Sequence, residues 1–286
     1  MRRLPTIVVF ILPAVSILLI AGIFLGTSAQ RMGKKMNKQT KTVATPGIHN
    51  LNITVIYDNN PYEKELETDW GFAAIINGAE KTVLFDTGGG DLMLDNMQKL
   101  SIEPNSIEVV ALSHIHPDHT GGLDSFLEKN SNVTVYLPKS FPKKFKDNVQ
   151  GYGARIVEVK ESMQICENAY STGLSGTLIK EQALIIRTDK GLVVLNGCAH
   201  PGIVNIVKTV KDLMKDDILL VMGGFHLEWA TKGRIEKIIS AFKKLGLQYV
   251  GPCHCSGYKA RVLFEERFGD NYVNIGAGKV IALTDL

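Results

Sequence analysis

Six of the seven histidines in this 286-residue chain follow short apolar segments. They are His114, His116, His119, His200, His226 and His254. The preceding segments have the length and composition of β-strands, and the strand ends of a mixed α/β body are where loops gather to form a site. Histidines used only for packing or solubility would not repeat that position. The chain is therefore expected to fold so that distant strand ends, each with its histidine, meet.

Strand-like and helix-like segments alternate through the body of the chain, from residue 48 onward. Strands are predicted at residues 51–57, 72–76, 81–85, 109–112, 133–137, 184–187, 192–195, 218–222, 247–250 and 280–283. Helices are predicted at residues 91–100, 121–129, 201–214, 233–245 and 257–268. Residues 138–154, rich in Pro, Gly and Lys, are expected to form a surface flap. Strand pairs with helices interleaved in both halves predict the α/β class, with two packed sheets and helices outside.

Residues 4–29 form an apolar segment without any charge between Ile7 and Leu25. Its length is close to the roughly 20 residues that cross a bilayer, so an uncleaved membrane anchor is expected. The alternative is a signal peptide cut after Ala29, although its apolar run would exceed the usual length. A buried core helix fits poorly, because the segment has no polar face. Residues 30–47 predict a basic linker, and residues 48–286 form the remaining domain.

Charge and cysteine content restrict the partners and the compartment. Residues 1–47 contain seven of the 32 basic side chains and none of the 29 acidic ones, so the body is mildly acidic and nucleic acid is not expected as a partner. Five basic residues follow the apolar segment and two precede it, which favours a body on the cytoplasmic face of the membrane. The signal-like start argues for the opposite side. Four cysteines without clear pairing suit a reducing compartment.

The densest motif is His-Ile-His-Pro-Asp-His at residues 114–119. Its first two histidines can point at one ion, because alternate side chains of an extended segment share a face. Pro117 prevents the strand from continuing, and Asp118 and His119 then reach a neighbouring point. Neutral imidazoles with a carboxylate are a ligand set expected for Zn, Fe or Mn. Packing needs no such cluster, so a metal site is the preferred interpretation.

Residues 113–122, with the sequence Ser-His-Ile-His-Pro-Asp-His-Thr-Gly-Gly, resemble the metal-binding motif of the metallo-β-lactamase superfamily. Phe-Asp-Thr-Gly at residues 85–88 is similar to the first motif of that superfamily. The resemblance implies a four-layer αββα sandwich, with the site at one edge between the two sheets. It also implies that Asp86 holds a ligand imidazole in its tautomer from outside the metal coordination.

Three later segments resemble one branch of that superfamily. They are Asn-Gly-Cys-Ala-His-Pro-Gly-Ile-Val-Asn-Ile at residues 196–206, Gly-Gly-Phe-His-Leu at residues 223–227 and Gly-Pro-Cys-His-Cys-Ser-Gly at residues 251–257. The branch contains an archaeal enzyme of methanopterin synthesis, which joins a dihydropterin to a ribofuranosyl-aminobenzene phosphate, and many metal-dependent hydrolases. By position, the resemblance implies two divalent ions, with Zn preferred and Mn or Fe as alternatives. The implied ligands are His114, His116 and His200 for the first ion, and Asp118, His119 and His254 for the second.

One position departs from the superfamily pattern, in which a Gly-Asp at a strand end bridges both ions. This chain has Gly197-Cys198 there. Either the Cys198 thiolate takes part or only water bridges the ions, and we place Cys198 beside the ligands as a buried structural thiol. Cys253 and Cys255 flank His254, and an alternating strand would direct both to the opposite face as packing groups.

The resemblance implies a metal-dependent hydrolase acting on an anionic phosphorylated or ester substrate. The alternatives are a transferase that joins a dihydropterin pyrophosphate to an aminobenzoate-type amine, and a membrane-tethered metal-binding module without catalysis. Asp118 is suited to orient the nucleophile or hold its proton, and His226 is expected to bind substrate or donate a proton. Gly202 opens a helix whose free backbone amides can bind a phosphate.

The aromatic side chains give a weaker indication of the substrate. Candidates for stacking on a flat ring are Phe141, Phe145, Tyr152 and Trp229. Ordinary packing is the preferred interpretation for all four. His49 precedes the first strand and has no predicted role.

Overall fold

The computed structural model describes residues 47–286, and this part of the chain forms two β-sheets with helices on their outer faces. Its strands are β1 (Asn52–Asp58), β2 (Phe72–Asn77), β3 (Val83–Phe85), β4 (Val109–Ala111), β5 (Thr134–Pro138), β6 (Arg155–Val159), β7 (Met163–Cys166), β8 (Ala169–Ser171), β9 (Leu184–Thr188), β10 (Gly191–Asn196), β11 (Ile218–Gly224), β12 (Tyr249–Cys253) and β13 (Val280–Ala282). Its α-helices are α1 (Leu92–Lys99), α2 (Pro117–Thr120), α3 (Leu123–Lys129), α4 (Lys143–Gly151), α5 (Ile203–Met214), α6 (Lys232–Lys244) and α7 (Tyr258–Phe268).

The strand order is β13-β1-β2-β3-β4-β5-β6 in the first sheet and β12-β11-β10-β9-β8-β7 in the second. Strands β3 to β6 run parallel in the first sheet, and β10 to β12 run parallel in the second. Parallel neighbours need crossover connections, which helices such as α1, α5 and α6 supply. The carboxyl ends of parallel neighbours lie at one edge of their sheet. The loops after β3 and β4 therefore share an edge, and so do the loops after β10, β11 and β12.

The core has three parts, because side chains along each strand alternate between two buried faces. Phe85 of the first sheet and Leu195 of the second belong to the core between the sheets. Val194, the neighbour of Leu195, faces the other way and packs with Val207 of α5. Phe126 of α3 belongs to the third core, on the outer face of the first sheet. The layers are thus helices, sheet, sheet and helices, and the prediction of an α/β fold with two packed sheets is confirmed.

Residues 138–154 differ from the predicted flap, because they contain α4. Phe141 is only 3% exposed and meets Phe145 edge-on, with 5.0 Å between ring centroids, on the outer face of the first sheet. Tyr152 packs against the same core, so ordinary packing is confirmed for these three aromatic residues. The helix presents exposed lysines to solvent and a narrow apolar stripe to the sheet, and the lysines dominate the composition of the segment.

The structure gives no support to the predicted membrane association. No helix within residues 47–286 is long and apolar enough to cross a bilayer. The predicted anchor or signal segment, residues 4–29, lies outside the described residues. Residues 30–46 of the predicted basic linker also lie outside them. The membrane-associated location and its cytoplasmic side are therefore withdrawn.

Candidate metal centre

Three histidines from both sheets form the first of two groups of converging side chains. His114 and His116 follow β4 in the first sheet, whereas His200 follows β10 in the second. The Nε2 atom of His114 lies 3.0 Å from Nδ1 of His116 and 3.3 Å from Nε2 of His200. One nitrogen of each ring lies within 4.8 Å of the others, a spacing at which the three residues could hold one ion.

Four residues form the second group: Asp118, His119, Cys198 and His254. The Nε2 atom of His119 lies 3.2 Å from Sγ of Cys198 and 3.2 Å from Nε2 of His254. The Oδ2 atom of Asp118 lies 3.3 Å from Nε2 of His254 and 3.6 Å from Nε2 of His119. These four atoms could hold a second ion. Cys198, which was expected beside the ligands, lies among the atoms that could bind.

Pro117 explains how one short segment reaches both groups. His116 has extended backbone, with φ −64° and ψ 145°, and Pro117 is the first residue of α2. A proline fits there because the first helical N–H has no partner within the helix. The helical turn brings the N–H of His119 to within 3.0 Å of the His116 carbonyl oxygen. The chain therefore leaves the first group and delivers Asp118 and His119 to the second within three residues.

A buried carboxylate fixes two of the imidazoles. Oδ2 of Asp86 accepts hydrogen bonds from Nδ1 of His119 and from Oγ of Ser113, both at 2.7 Å. Because Ser113 donates its only hydroxyl proton to Asp86, its oxygen accepts from Nδ1 of His114, 2.9 Å away. Both rings therefore carry a proton on Nδ1 and turn Nε2 toward the other candidate ligands.

His254 is held in the same way from the end of β1. Oδ1 of Asn59 lies 3.0 Å from Nδ1 of His254, and Oδ2 of Asp58 accepts the His254 backbone N–H at 3.1 Å. The Nδ1 proton of His254 thus points to Asn59, and its Nε2 faces the second group. Asn59 and Asp58 were not predicted from the sequence. Their signal is weak: one polar residue ends a buried strand, and the other follows it directly.

The first group favours neutral imidazoles, which is the form that binds a metal. Burial lowers the pKa of His114, and neighbouring imidazoles lower it further. Burial also lowers the pKa of His116. For His200, burial and the adjacent His226 lower the pKa to about 4.

The second group combines a carboxylate with a more basic imidazole. Burial lowers the pKa of His119, but the buried Asp86 carboxylate outweighs it and raises that pKa. Burial raises the pKa of Asp118, but His254 and His119 outweigh it and lower that pKa to about 2. Asp118 is therefore ionised at neutral pH. A cation that binds Nε2 of His119 has to compete with a proton there.

Backbone strain concentrates in these loops. Seven non-glycine residues in the described part of the chain have positive φ, and four of the seven belong to the site. They are Asp86, Ala199, His226 and His254. Such conformations persist where the surrounding structure imposes them, which is common at functional sites. Gly197 meets a related constraint, because a Cβ atom there would overlap Oγ of Ser113 and the carboxylate of Asp86.

His226 follows β11 and stands at the rim of the first group. Its ring centroid is 4.7 Å from that of His200, and its side chain is exposed. With Cys198 and His200 it forms a third group that has the spacing of metal ligands. A hydrogen bond with the Cys255 sulfur raises the pKa of His226. The expected alternation of Cys255 away from the site is wrong, because residues 254–256 form a 3-10 turn that places its sulfur beside Cys198 and His226.

Two further features lie next to His200. Gly202 is the N-cap of α5, with φ 90°, so this helix begins at Ile203, three residues after His200. Glu181 is a buried carboxylate, which the sequence analysis missed because it lies in a loop without any motif. Burial raises the pKa of Glu181, and hydrogen bonds from the backbone N–H groups of residues 198–200 act against that effect.

Both tryptophans are on the surface, and one of them contacts a candidate ligand. Trp70 is 44% exposed, and its ring centroid is 4.9 Å from that of His254. Trp229, three residues beyond His226, is 93% exposed, so the expectation of ordinary packing is wrong for this residue. The chain contains only two tryptophans. Of the two, Trp70 lies against the candidate ligand His254. Trp70 had no signal in the sequence.

Comparison with known proteins identifies the family. The sequence model of the metallo-beta-lactamase superfamily matches residues 71–212. The 7,8-dihydropterin-6-methyl-4-(beta-D-ribofuranosyl)-aminobenzene-5'-phosphate synthase of Methanocaldococcus jannaschii is 30% identical over 285 residues, covering 82% of this chain and 97% of that protein. The chain belongs to the metallo-beta-lactamase superfamily. The predicted resemblance to the superfamily, and to the branch with this synthase, is thus confirmed.

Solved structures of the metallo-beta-lactamase superfamily resemble this member. Tm1679, a metal-dependent hydrolase of the beta-lactamase superfamily, is 30% identical with a TM-score of 0.68, covering 81% of this chain and 98% of that one. YhfI from Bacillus subtilis, with 14% identity and a TM-score of 0.61, covers 82% of this chain and 99% of that one and supports the fold alone. The chain belongs to this superfamily, and its relatives are named as a hydrolase and a synthase. The prediction that the protein is an enzyme is thus confirmed.

Proposed function

We propose that the domain of residues 48–286 is a metal-dependent hydrolase that uses two divalent ions against an anionic phosphorylated or ester substrate. His114, His116 and His200 would hold the first ion. Asp118, His119, Cys198 and His254 would hold the second. Zn suits this mixture of imidazole, thiolate and carboxylate best, with Mn or Fe as alternatives.

One observation supports the metal site above all others. Hydrogen bonds to Ser113, Asp86 and Asn59 leave the Nε2 lone pairs of three imidazoles directed inward. Inward-facing acceptors only 3.2–3.3 Å apart, such as Nε2 of His119 and of His254, repel one another unless a cation or a proton lies between them. The donor set therefore fits bound cations. Two separate groups of such atoms favour two ions.

The chain's own residues supply the remaining chemistry. Divalent ions at such sites polarise a substrate oxygen and make water reactive near neutral pH. Asp118, ionised and partly exposed, orients the nucleophile and holds its proton. His226 stands beside His200 on the exposed side and donates a proton or a hydrogen bond to the substrate. The N–H groups at the start of α5, after Gly202, bind an anionic group of the substrate.

An exposed tryptophan favours one second candidate, a transferase that joins a dihydropterin pyrophosphate to an aminobenzoate-type amine. Flat rings bind well against tryptophan faces, and Trp70 is partly exposed beside the candidate ligand His254. The relative from Methanocaldococcus jannaschii is named as a synthase of a compound with a dihydropterin and an aminobenzene. In this candidate the amine would displace pyrophosphate from the dihydropterin, and divalent ions held by the candidate ligands would supply positive charge for that leaving group.

Metal content is the first test of the proposal. Elemental analysis of the purified full-length chain is expected to find two divalent ions per protein. His116→Ala should lose metal, whereas His49→Ala should not, because His49 lies at the surface and contacts Asp189. Parent protein that has been offered Zn, Mn and Fe and binds none of them would contradict the proposal.

Activity assays separate the two candidates. Metal-loaded protein is incubated with aryl phosphodiesters, and separately with dihydropterin pyrophosphate plus an aminobenzoate. Hydrolysis without condensation supports the hydrolase, and condensation supports the transferase. Asp118→Asn serves as the inactive control in both assays. Metal-loaded protein without either activity would contradict both substrate assignments and leave only the metal site.

A further inference from the structure

Glu181 and Gln182 lie between the two loops that supply the first group of candidate ligands. Both side chains are buried, with exposures of 1% and 2%. The backbone of Glu181 is fixed by paired hydrogen bonds with Ser175, at 3.0 Å and 2.9 Å. Neither residue belongs to the groups that could hold an ion. Their contacts nevertheless reach the candidate ligand loops of both sheets.

The Glu181 carboxylate binds the loop that follows β10. It accepts hydrogen bonds from the backbone N–H groups of Cys198 at 2.9 Å, Ala199 at 2.8 Å and His200 at 2.7 Å. Ala199 has φ +56°, and a turn of this kind directs successive N–H groups to one anion. The two ends of this three-residue loop are candidate ligands, Cys198 for the second ion and His200 for the first.

Gln182 binds the loop that follows β4 in the other sheet. Its backbone N–H donates to the Ser113 carbonyl oxygen at 3.0 Å, and its side-chain amide donates to the Leu112 carbonyl oxygen at 2.8 Å. The next residue along that loop is His114. Two adjacent residues therefore connect the loop of His114 with the loop of His200, although these loops come from different sheets.

We infer that Glu181 is a positioning residue of the metal centre, which holds Cys198 and His200 at the ions while Gln182 fixes the distance to the His114 loop. This inference rests on the proposed function, because it requires bound ions. Glu181 itself does not contact them. Its role follows from three hydrogen bonds to one loop and from a negative charge buried near a cationic centre.

Glu181→Gln separates this role from mere space filling. The amide has nearly the same volume, but one of its two heteroatoms is a donor and cannot accept the N–H groups of residues 198–200. The substitution also removes the buried charge. Glu181→Asp keeps the charge but shortens the side chain by one methylene group. Glu161→Gln is the matched control, since Glu161 is exposed and pairs with the neighbouring Lys160, at 3.3 Å.

The experiment measures metal binding in the full-length protein, and not activity alone. Zn affinity is determined by competition with a chelator, and Co²⁺-loaded protein is examined by visible absorption for the thiolate-to-cobalt band of Cys198. Glu181→Gln is expected to lower Zn affinity by about 10–100-fold and to weaken or shift the cobalt band. Glu161→Gln should match the parent in both measurements. Cys198→Ser, which should lack the band, verifies its assignment.

Each outcome decides the inference. A parent that binds no metal contradicts the proposed function and removes this inference with it. If the parent binds metal and Glu181→Gln has the same affinity and the same cobalt spectrum, only the inference is wrong. A lower unfolding midpoint of the metal-free variant with unchanged metal binding would mean a structural role and also overturn it. If Glu181→Gln does not fold, Glu181→Asp is measured instead. The inference is overturned if Glu181→Asp binds Zn with the affinity of the parent, or if it also fails to fold.

Discussion

Nδ1 of His119 lies 2.7 Å from Oδ2 of Asp86, and both side chains are completely buried. Asp86 also accepts from Ser113, through the backbone N–H at 2.6 Å and the hydroxyl at 2.7 Å. Its two oxygens thus serve three donors, and through Ser113 they reach His114. One carboxylate outside the candidate ligand set therefore orients an imidazole in each of the two groups.

Asp86→Asn should weaken metal binding without removing any candidate ligand. The asparagine amide would face the donors of His119 and Ser113 with a donor of its own, so the rings lose their fixed tautomer. We expect Zn affinity to fall by about 10–100-fold, measured by calorimetric titration of metal-free protein. Asp212→Asn, at an exposed surface pair with Lys215, is the control and should leave the affinity unchanged. Equal affinities of the two variants would disprove the role of Asp86.

An aromatic cluster next to the loop of His226 is expected to stabilise the folded protein. Phe264 is completely buried, with its ring centroid 5.5 Å from that of Phe225, the residue before His226, and 5.7 Å from that of Phe242. Phe264→Ala should lower the free energy of unfolding by about 3–5 kcal/mol, because it leaves a cavity. Urea denaturation of metal-free protein measures this change. Tyr258→Ala, at a side chain that is 84% exposed, should change stability by no more than about 0.5 kcal/mol.

His200 should make the metal-free protein less stable in mild acid. Its pKa is about 4 in the folded protein against an ordinary value of 6.5, so the unfolded chain binds more protons between these values. The stability that His200 contributes is therefore complete above pH 6.5 and is lost as the pH falls toward 4. His200→Gln should lose less stability than the parent over this range, as measured by denaturation at several pH values. NMR titration of the histidine signals provides a second test. A signal that titrates near pH 6.5 in the parent and is missing in His200→Gln would contradict the lowered pKa of His200.

The sequence predicted the parts of the site that depend on neighbouring residues. His116, Asp118 and His119 lie within four residues, so strand geometry and the turn at Pro117 were enough to place them in adjacent groups. His200 and His254 were predicted from their positions after apolar segments and from the resemblance to the superfamily. These two residues follow β10 and β12 of the second sheet, whose carboxyl ends lie at one edge because both strands run parallel to β11.

Other parts of the site could not be predicted, because they depend on contacts between distant segments. Glu181 lies in an irregular loop, and only the folded chain shows that its carboxylate meets the backbone of residues 198–200. Cys255 was assigned to the wrong face because periodicity of two applies to strands, whereas β12 ends at Cys253 and a 3-10 turn follows. Among the helices, α4 was missed because its lysines conceal a narrow apolar stripe.

Tryptophan fluorescence should report on occupation of the second group. The ring of Trp70 lies against that of His254, with 4.9 Å between centroids, so a paramagnetic ion bound by His254 would quench its emission at short range. Trp229→Phe leaves Trp70 as the sole tryptophan, and Trp70→Phe leaves Trp229. Addition of Co²⁺ to metal-free protein is expected to quench Trp229→Phe strongly, whereas Zn²⁺, which has a filled d shell, should not. His254→Ala in the Trp229→Phe background should abolish the quenching. Quenching that persists in this double variant would show that cobalt binds elsewhere and that His254 is not a ligand.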